Sequence, residues 1–250
     1  MRHLIVHITP SDHPLIGRCW RWHLRQLNHY APIFDGQRIF AVAMGPGLAP
    51  PEFVAQFLPP RSQILAVPNS ESIRETYSLP LLLARAFTVA SGDAVFYAHS
   101  KGTSWVGTRG EATTRWWSLA MYRWLLSPAA MNLLSTHPVV GWRKHEGRVL
   151  VPLSPFPDFC TWHYSGTFWW FNAQAVYTQP WWVIEPTRFG AEAYLSKIFR
   201  TESAACHHSF PAKQRLDPVA GDAIYTMPFW KSMGIPAGAD AESYDGSPLA

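Results

Sequence analysis

The 250-residue chain is 48% hydrophobic and carries a net charge of +4, which is ample apolar material for the packed core of a globular protein and a balance suited to an anionic ligand. No apolar run reaches the roughly 18 to 20 residues that a membrane span requires, and Met1-Arg2-His3-Leu4-Ile5-Val6-His7-Ile8 is too short for a signal peptide, so the expected location is the cytoplasm. Cys19, Cys160 and Cys206 stand far apart with no Cys-x-x-Cys pair, which indicates neither a disulfide framework nor a zinc site.

Leu4 to Ile8 is a short apolar, β-branched run closed by Thr9-Pro10-Ser11-Asp12, which predicts a buried first strand and a loop. Leu15, Ile16, Cys19, Trp20, Leu24 and Leu27 then recur at helical spacing with arginines between them, so residues 15–30 read as an amphipathic helix. Arg38 to Met44 before Gly45-Pro46-Gly47 reads as a second strand, Glu52 to Leu58 as a short helix and Gln63 to Val67 as a third strand. A polar loop over Pro68 to Tyr77, a helix over Leu79 to Ala90 and a fourth strand over Asp93 to Ala98 follow. This alternation predicts an α/β fold with a mostly parallel central sheet flanked by helices, whose ligands bind at the carboxyl ends of the strands.

Trp105 to Glu111 reads as a connection, Thr114 to Leu126 as a long apolar helix stopped by Ser127-Pro128, and Ala129 to Ser135 as a second helix. Val139 to Trp142 is expected as a brief strand, Lys144 to Arg148 as a charged turn, and Pro152 to Pro157 as irregular chain. Ala173 to Thr178 reads as a helical turn and Thr187 to Phe199 as a helix opened by Thr187 or Gly190. From Ala204 no period is sustained except over Ala223 to Trp230, so residues 1–233 are expected to form one domain and 234–250 a flexible tail.

Between these elements lies His163-Tyr164-Ser165-Gly166-Thr167-Phe168-Trp169-Trp170-Phe171-Asn172. Read as one strand, it places Tyr164, Gly166, Phe168 and Trp170 on one face and His163, Ser165, Thr167, Trp169 and Phe171 on the other. One tryptophan of the pair then lines a site, and Trp169, which shares a face with His163 and Ser165, is the expected one. The bland alternative is an aromatic-rich core strand, although 13 tryptophans also offer flat faces for sugar rings.

Two loops complete a candidate site with this segment. Arg74 and Glu75 follow the third strand, and His99-Ser100-Lys101-Gly102 leaves the fourth, with Glu192 on a later helix. Gly102 permits close backbone approach, Lys101 offers a point charge for phosphate, and His99 a titratable ring; the alternative is an ordinary polar turn. P-loop, Gly-x-Gly-x-x-Gly and Gly-x-Ser-x-Gly motifs are absent, so kinase, dehydrogenase and serine hydrolase readings lose their main support.

His99-Ser100-Lys101-Gly102 after an apolar strand, Trp116-Trp117 to Met121 on the next helix, His163 to Trp170, and Arg188 with Glu192 together resemble a family of bacterial and viral glycosyltransferases. The family pattern is a strand ending His-x-Lys-Gly, a Trp…Met helix, His-[Tyr/Phe]-Ser-Gly-Asn-[Phe/Tyr]-Trp-Trp and an Arg-x-x-x-Glu helix. The resemblance spans residues 69–199, and Thr167 stands where the family has Asn. It implies a single GT-A-like (Rossmann-like) domain that moves a sugar from a nucleotide-sugar donor to a glycan or other hydroxyl acceptor. On this reading Thr9, Arg74, His99, Ser100, Lys101 and Gly102 bind the donor, and Ser165, Gly166, Trp169, Trp170, Asn172 and Arg188 meet the acceptor or sugar. Glu75, Glu192 and His163 are the catalytic candidates, with the general base left open among them.

Such enzymes often end the fourth strand in Asp-x-Asp, which holds a divalent cation on the diphosphate. His99-Ser100-Lys101 lacks both carboxylates, so transfer is expected without an Asp-x-Asp-bound metal and without a cofactor, Mg²⁺ or Mn²⁺ remaining open. The alternative is a non-catalytic carbohydrate-binding protein of the same fold. A nucleic-acid partner fits less well, because Lys and Arg do not interleave with the rings in one stretch.

Overall fold

The first strand is apolar on both faces: Leu4, Val6 and Ile8 pack into one core layer and Ile5 into another. That is the pattern of a strand buried between two layers of helix. The computed structural model of the protein, which describes residues 1–108, 111–146 and 160–210, is built outward from this strand.

Strand β1 (Arg2–Ile8) leads through α1 (Gly17–His29), β2 (Arg38–Met44), α2 (Pro51–Ala55), β3 (Ser62–Pro68) and α3 (Leu79–Arg85) to β4 (Ala94–His99). Then come α4 (Glu111–Leu125), α5 (Pro128–Leu133), β5 (Val139–Glu146), β6 (Trp162–Tyr164), β7 (Trp169–Asn172), α6 (Ala173–Tyr177), α7 (Gly190–Ile198) and β8 (Ala204–Phe210). The strands form one mixed, mostly parallel sheet in the order β3-β2-β1-β4-β7-β5-β6, with β8 pairing parallel to β5. The α/β class and the flanking helices are as the sequence predicts.

The first core layer packs Trp20, Leu24 and Leu27 of α1 and Met121 and Leu125 of α4 against Val6, Phe96 and Trp170. The second packs Leu82 and Leu83 of α3, Val176 of α6 and Tyr194 of α7 against Ile5, Tyr97 and Trp169.

Four expectations are corrected. The aromatic segment is two strands joined by a turn over residues 165–168, in which Gly166 has φ 99° and Thr167 φ 60°. Alternation therefore does not run through it: Tyr164 lies in the layer of Trp169, and Phe168 in that of Trp170. The Lys144 to Arg148 turn is strand through Glu146, because Lys144 Nζ donates to the carbonyls of Thr201 and Ala204 at 2.9 and 3.0 Å, which satisfies the ammonium along the sheet. Ala204–Phe210 forms β8, whose partner β5 lies 65 residues earlier in register, as Val139 opposite Ala204 shows. The expected α3 also stops at Arg85 rather than Ala90. Pro152 to Pro157, Ala223 to Trp230 and the 234–250 tail lie outside the described residues.

Candidate functional site

In a parallel sheet the crevice opens where the strand order reverses. Here β1 has β2 on one side and β4 on the other, and a cleft of about 700 Å³ opens at the carboxyl ends of β1, β3 and β4. Thr9 closes β1, Asn69 and Ser70 follow β3, and His99 to Gly102 leave β4; all line this cleft.

The chain leaving β4 turns at once. Lys101 N–H donates to the His99 carbonyl at 2.7 Å, and Gly102 follows at φ 101°, a conformation favouring glycine. Ser100 ties the strand ends together: its N–H donates to the His7 carbonyl at 3.0 Å, and its Oγ accepts the Thr9 N–H at 2.9 Å. The Lys101 carbonyl accepts from His23 Nε2 at 2.8 Å and from the Cys19 thiol at 3.3 Å, both on α1. His23 Nδ1 in turn meets Tyr122 Oη at 2.9 Å, and burial pushes this histidine down to about 3. A neutral ring that donates one way and accepts the other fits that position. The Lys101 ammonium lies 4.4 Å from the centre of the Trp117 ring, a cation–π contact. Burial lowers its pKa, while Glu192 and then Glu75 pull it back up.

A second polar chain runs along the β1 side. The Ser78 hydroxyl donates to the Glu75 carbonyl at 3.1 Å and faces His7 Nδ1 at 2.8 Å. With that proton committed, Nδ1–H donates to Ser78, and Nε2 accepts from the Thr9 hydroxyl 3.1 Å away. Burial takes His7 down to about 4, with Glu75 opposing and His99 adding to the shift.

The rim is held by close approaches. Arg74 (φ 50°) and Thr167 (φ 60°) are non-glycine residues in the left-handed region, and both line the cleft. Strain of this kind concentrates at ligand-binding positions. Thr76 Oγ1 accepts the Ala191 N–H at 3.0 Å, which fastens the Arg74–Thr76 turn to the start of α7. A side chain on Gly190 would run into the Glu185 carbonyl and Thr76. This junction brings Glu75 and Glu192 to one cleft.

Thr9, Arg74, Glu75, His99, Ser100, Lys101, Gly102, Arg188 and Glu192 all line the cleft, as expected from the sequence. Six other predicted residues do not. Trp169 is 1% exposed and packs on Tyr97 at 4.7 Å, and Trp170 is fully buried with Nε1 donating to the Leu125 carbonyl at 2.7 Å. Both indoles are core because β7 lies between β4 and β5, with helices over each face. Asn172 caps α6, its Oδ1 accepting the Ala175 N–H at 3.1 Å, and sits opposite Ala94 at the amino end of β4. Ser165 donates its N–H to the Arg143 carbonyl at 2.9 Å, away from the cleft. His163 stacks on His145 with ring centres 5.1 Å apart; burial lowers its pKa, against an upward pull from Glu192.

Gly166 acts from behind the cleft wall. Its carbonyl faces His99 Nε2 at 3.2 Å, and a Cβ there would meet Met121 Sδ at 2.6 Å and Trp117 at 3.4 Å. Segments far apart in the chain thus touch through one glycine.

The sequence reading did not single out His7, Glu71, Trp105 and Phe189, which also line the cleft. Trp105 is 52% exposed, the tryptophan that offers a free face at this site. Its neighbours Gly102 and Gly107 were the available signal, since a large ring in a glycine-flanked loop has no helix or strand to bury it. The carboxylates in the cleft are Glu71, Glu75 and Glu192, and among the described residues no group of three or more His, Cys, Asp or Glu is placed to hold a metal ion. At the end of β4 the side chains of His99, Ser100 and Lys101 are an imidazole, a hydroxyl and an ammonium, with none of the carboxylates that Mg²⁺ and Mn²⁺ favour.

Fold and cleft define an α/β protein with a crevice at the switch point of a mixed, mostly parallel sheet. Comparison with protein families and with curated proteins found no match for the chain. Among the described residues no helix is long and apolar enough to cross a membrane.

Proposed function

We propose that the protein is a GT-A-like glycosyltransferase of the cytoplasm that moves a sugar from a nucleotide-sugar donor to a glycan or other hydroxyl acceptor. The observation that carries this reading is the meeting of four separate segments at one cleft: Arg74 with Glu75, His99 to Gly102, Thr167 backed by Gly166, and Arg188 with Glu192. Lys101 and Arg74 supply positive charge for a diphosphate, and a cation held at the leaving group stabilises its departure. Glu75 or Glu192 takes the proton of the acceptor hydroxyl. No Asp-x-Asp metal enters this scheme.

Thermal-shift measurements against UDP-, GDP-, CMP- and dTDP-linked sugars test it. Stabilisation by one donor class is expected, and Lys101→Met should weaken it by about tenfold or more, the loss of a charge-assisted contact. Transfer that persists in excess EDTA would agree with the metal-free scheme, whereas loss restored by Mn²⁺ would overturn that part. A second reading is favoured by one observation, the free face of Trp105: a carbohydrate-binding protein without donor chemistry. Stabilisation by free oligosaccharides and by no nucleotide would decide for it.

A further inference from the structure

Two hydrogen-bond acceptors face each other in the cleft. His99 Nε2 lies 3.2 Å from the Gly166 carbonyl, and a carbonyl only accepts, so Nε2 carries the ring proton and Nδ1 keeps its lone pair. That lone pair lies 3.9 Å from Glu75 Oε1. Burial, followed by the charge of Lys101, pushes His99 down to about 3, so near neutral pH the ring is uncharged and the two atoms are acceptor against carboxylate. Among the described residues neither atom has a hydrogen-bond donor, although both side chains are largely covered, 12% and 17% exposed, and both line the cleft.

Both are held in place from outside the pair. Gly166 orients the ring, and the Ser78 and Thr76 hydroxyls anchor the turn that carries Glu75. A single hydroxyl has one proton and satisfies one acceptor. Two hydroxyls on adjacent carbons satisfy both, each donating at the usual O–H···O length of about 2.7 to 2.8 Å from oxygens lying side by side.

We propose that His99 and Glu75 form a seat for a vicinal diol, one hydroxyl donating to His99 Nδ1 and its neighbour to Glu75 Oε1. The proposal rests on the transferase reading for where that diol comes from: the ribose of the nucleotide, the donor sugar or the acceptor glycan. A carboxylate and an uncharged imidazole, rather than an ammonium, are the groups that accept from hydroxyls without attracting the diphosphate to the same spot.

Isothermal titration calorimetry on the whole chain separates these sources. The panel is UDP and GDP, their 2′-deoxyribose counterparts, UDP- and GDP-glucose, and methyl glucoside with its 2-deoxy counterpart, each titrated into wild type, His99→Gln and Glu75→Gln. His99→Gln keeps an N–H for the Gly166 carbonyl while removing the Nδ1 lone pair, and Glu75→Gln keeps shape while supplying a donor that His99 can take for itself. A diol-bearing ligand is expected to lose about tenfold in affinity in each variant and on removal of one hydroxyl, the effect of one net hydrogen bond. Loss confined to the 2′-deoxy nucleotides identifies ribose, and loss confined to the sugars identifies donor or acceptor. Wild-type affinities in both variants, or indifference to the missing hydroxyl, overturn the seat while leaving the transferase reading intact. Diol-dependent binding of methyl glucoside alone keeps the seat and removes the transferase reading. Binding of no panel member overturns both.

Discussion

The carbonyl of Gly166 accepts the ring N–H of His99 at 3.2 Å, so a turn in the aromatic segment sets the tautomer of the histidine that ends β4. The same glycine sits against Met121 and Trp117 in a backbone conformation, φ 99°, that L side chains rarely adopt. Gly166→Ala is therefore expected to cost about 1 to 3 kcal/mol, combining left-handed strain with the push on Met121. Urea denaturation measures it. The double variant with Met121→Ala should show less than the summed losses, because it relieves the contact shared by the two sites; full additivity would argue that the packing against Met121 is immaterial.

Thr167 is β-branched and sits at φ 60° in a buried turn, 2% exposed. Asparagine tolerates that region better than threonine. Thr167→Asn should stabilise the protein by on the order of 1 kcal/mol, part of the cost of a strained left-handed residue. A melting temperature below that of the parent would contradict this account of the turn.

The tryptophans divide by role. Trp169→Ala and Trp170→Ala each remove a buried indole and should cost about 3 to 5 kcal/mol in denaturant titrations. Trp105→Ala, at an exposed position, should change stability by less than about 0.5 kcal/mol yet weaken a sugar ligand held against its face. Calorimetry with the sugar panel reads the second effect, and unchanged affinity would remove Trp105 from the site.

Stability should fall on acidification in a window set by buried histidines. Burial pushes His7 down to about 4 and His23, His99 and His145 down to about 3, against an ordinary value of 6.5. Between those limits the unfolded chain binds protons that the folded one refuses. Their stabilising contribution is complete above about pH 6.5 and declines as pH drops from there toward 3 to 4, with a slope of about 1.4 kcal/mol per pH unit for each proton taken up. Guanidinium titrations at pH 7.5, 6.0 and 5.0 should show progressively lower stability. A flat profile across that range would mean that these rings take up protons in the fold as readily as in the unfolded chain.

Much was legible in the sequence by itself. Periodicity and turn residues located β1 to β4 and the helices between them, and the alternation of the two implied a mostly parallel sheet. The rule that such sheets bind ligands at their carboxyl ends then selected Arg74, Glu75 and His99 to Gly102, all of which line the cleft. These inferences work because local period and loop chemistry are properties of short segments. What only the tertiary structure decided was the fate of the aromatic segment. A tryptophan is apolar whether it faces a ligand or a core, and Trp169 and Trp170 are buried because β4 and β5 pair on either side of β7. The break at Gly166 and Thr167 likewise depends on Met121 and Trp117, more than 40 residues away. Strand β8 has no period of its own and exists through its pairing with β5. Long-range contacts of this kind leave no local signature, so whether the segment lined the cleft or walled it from behind was settled by packing alone.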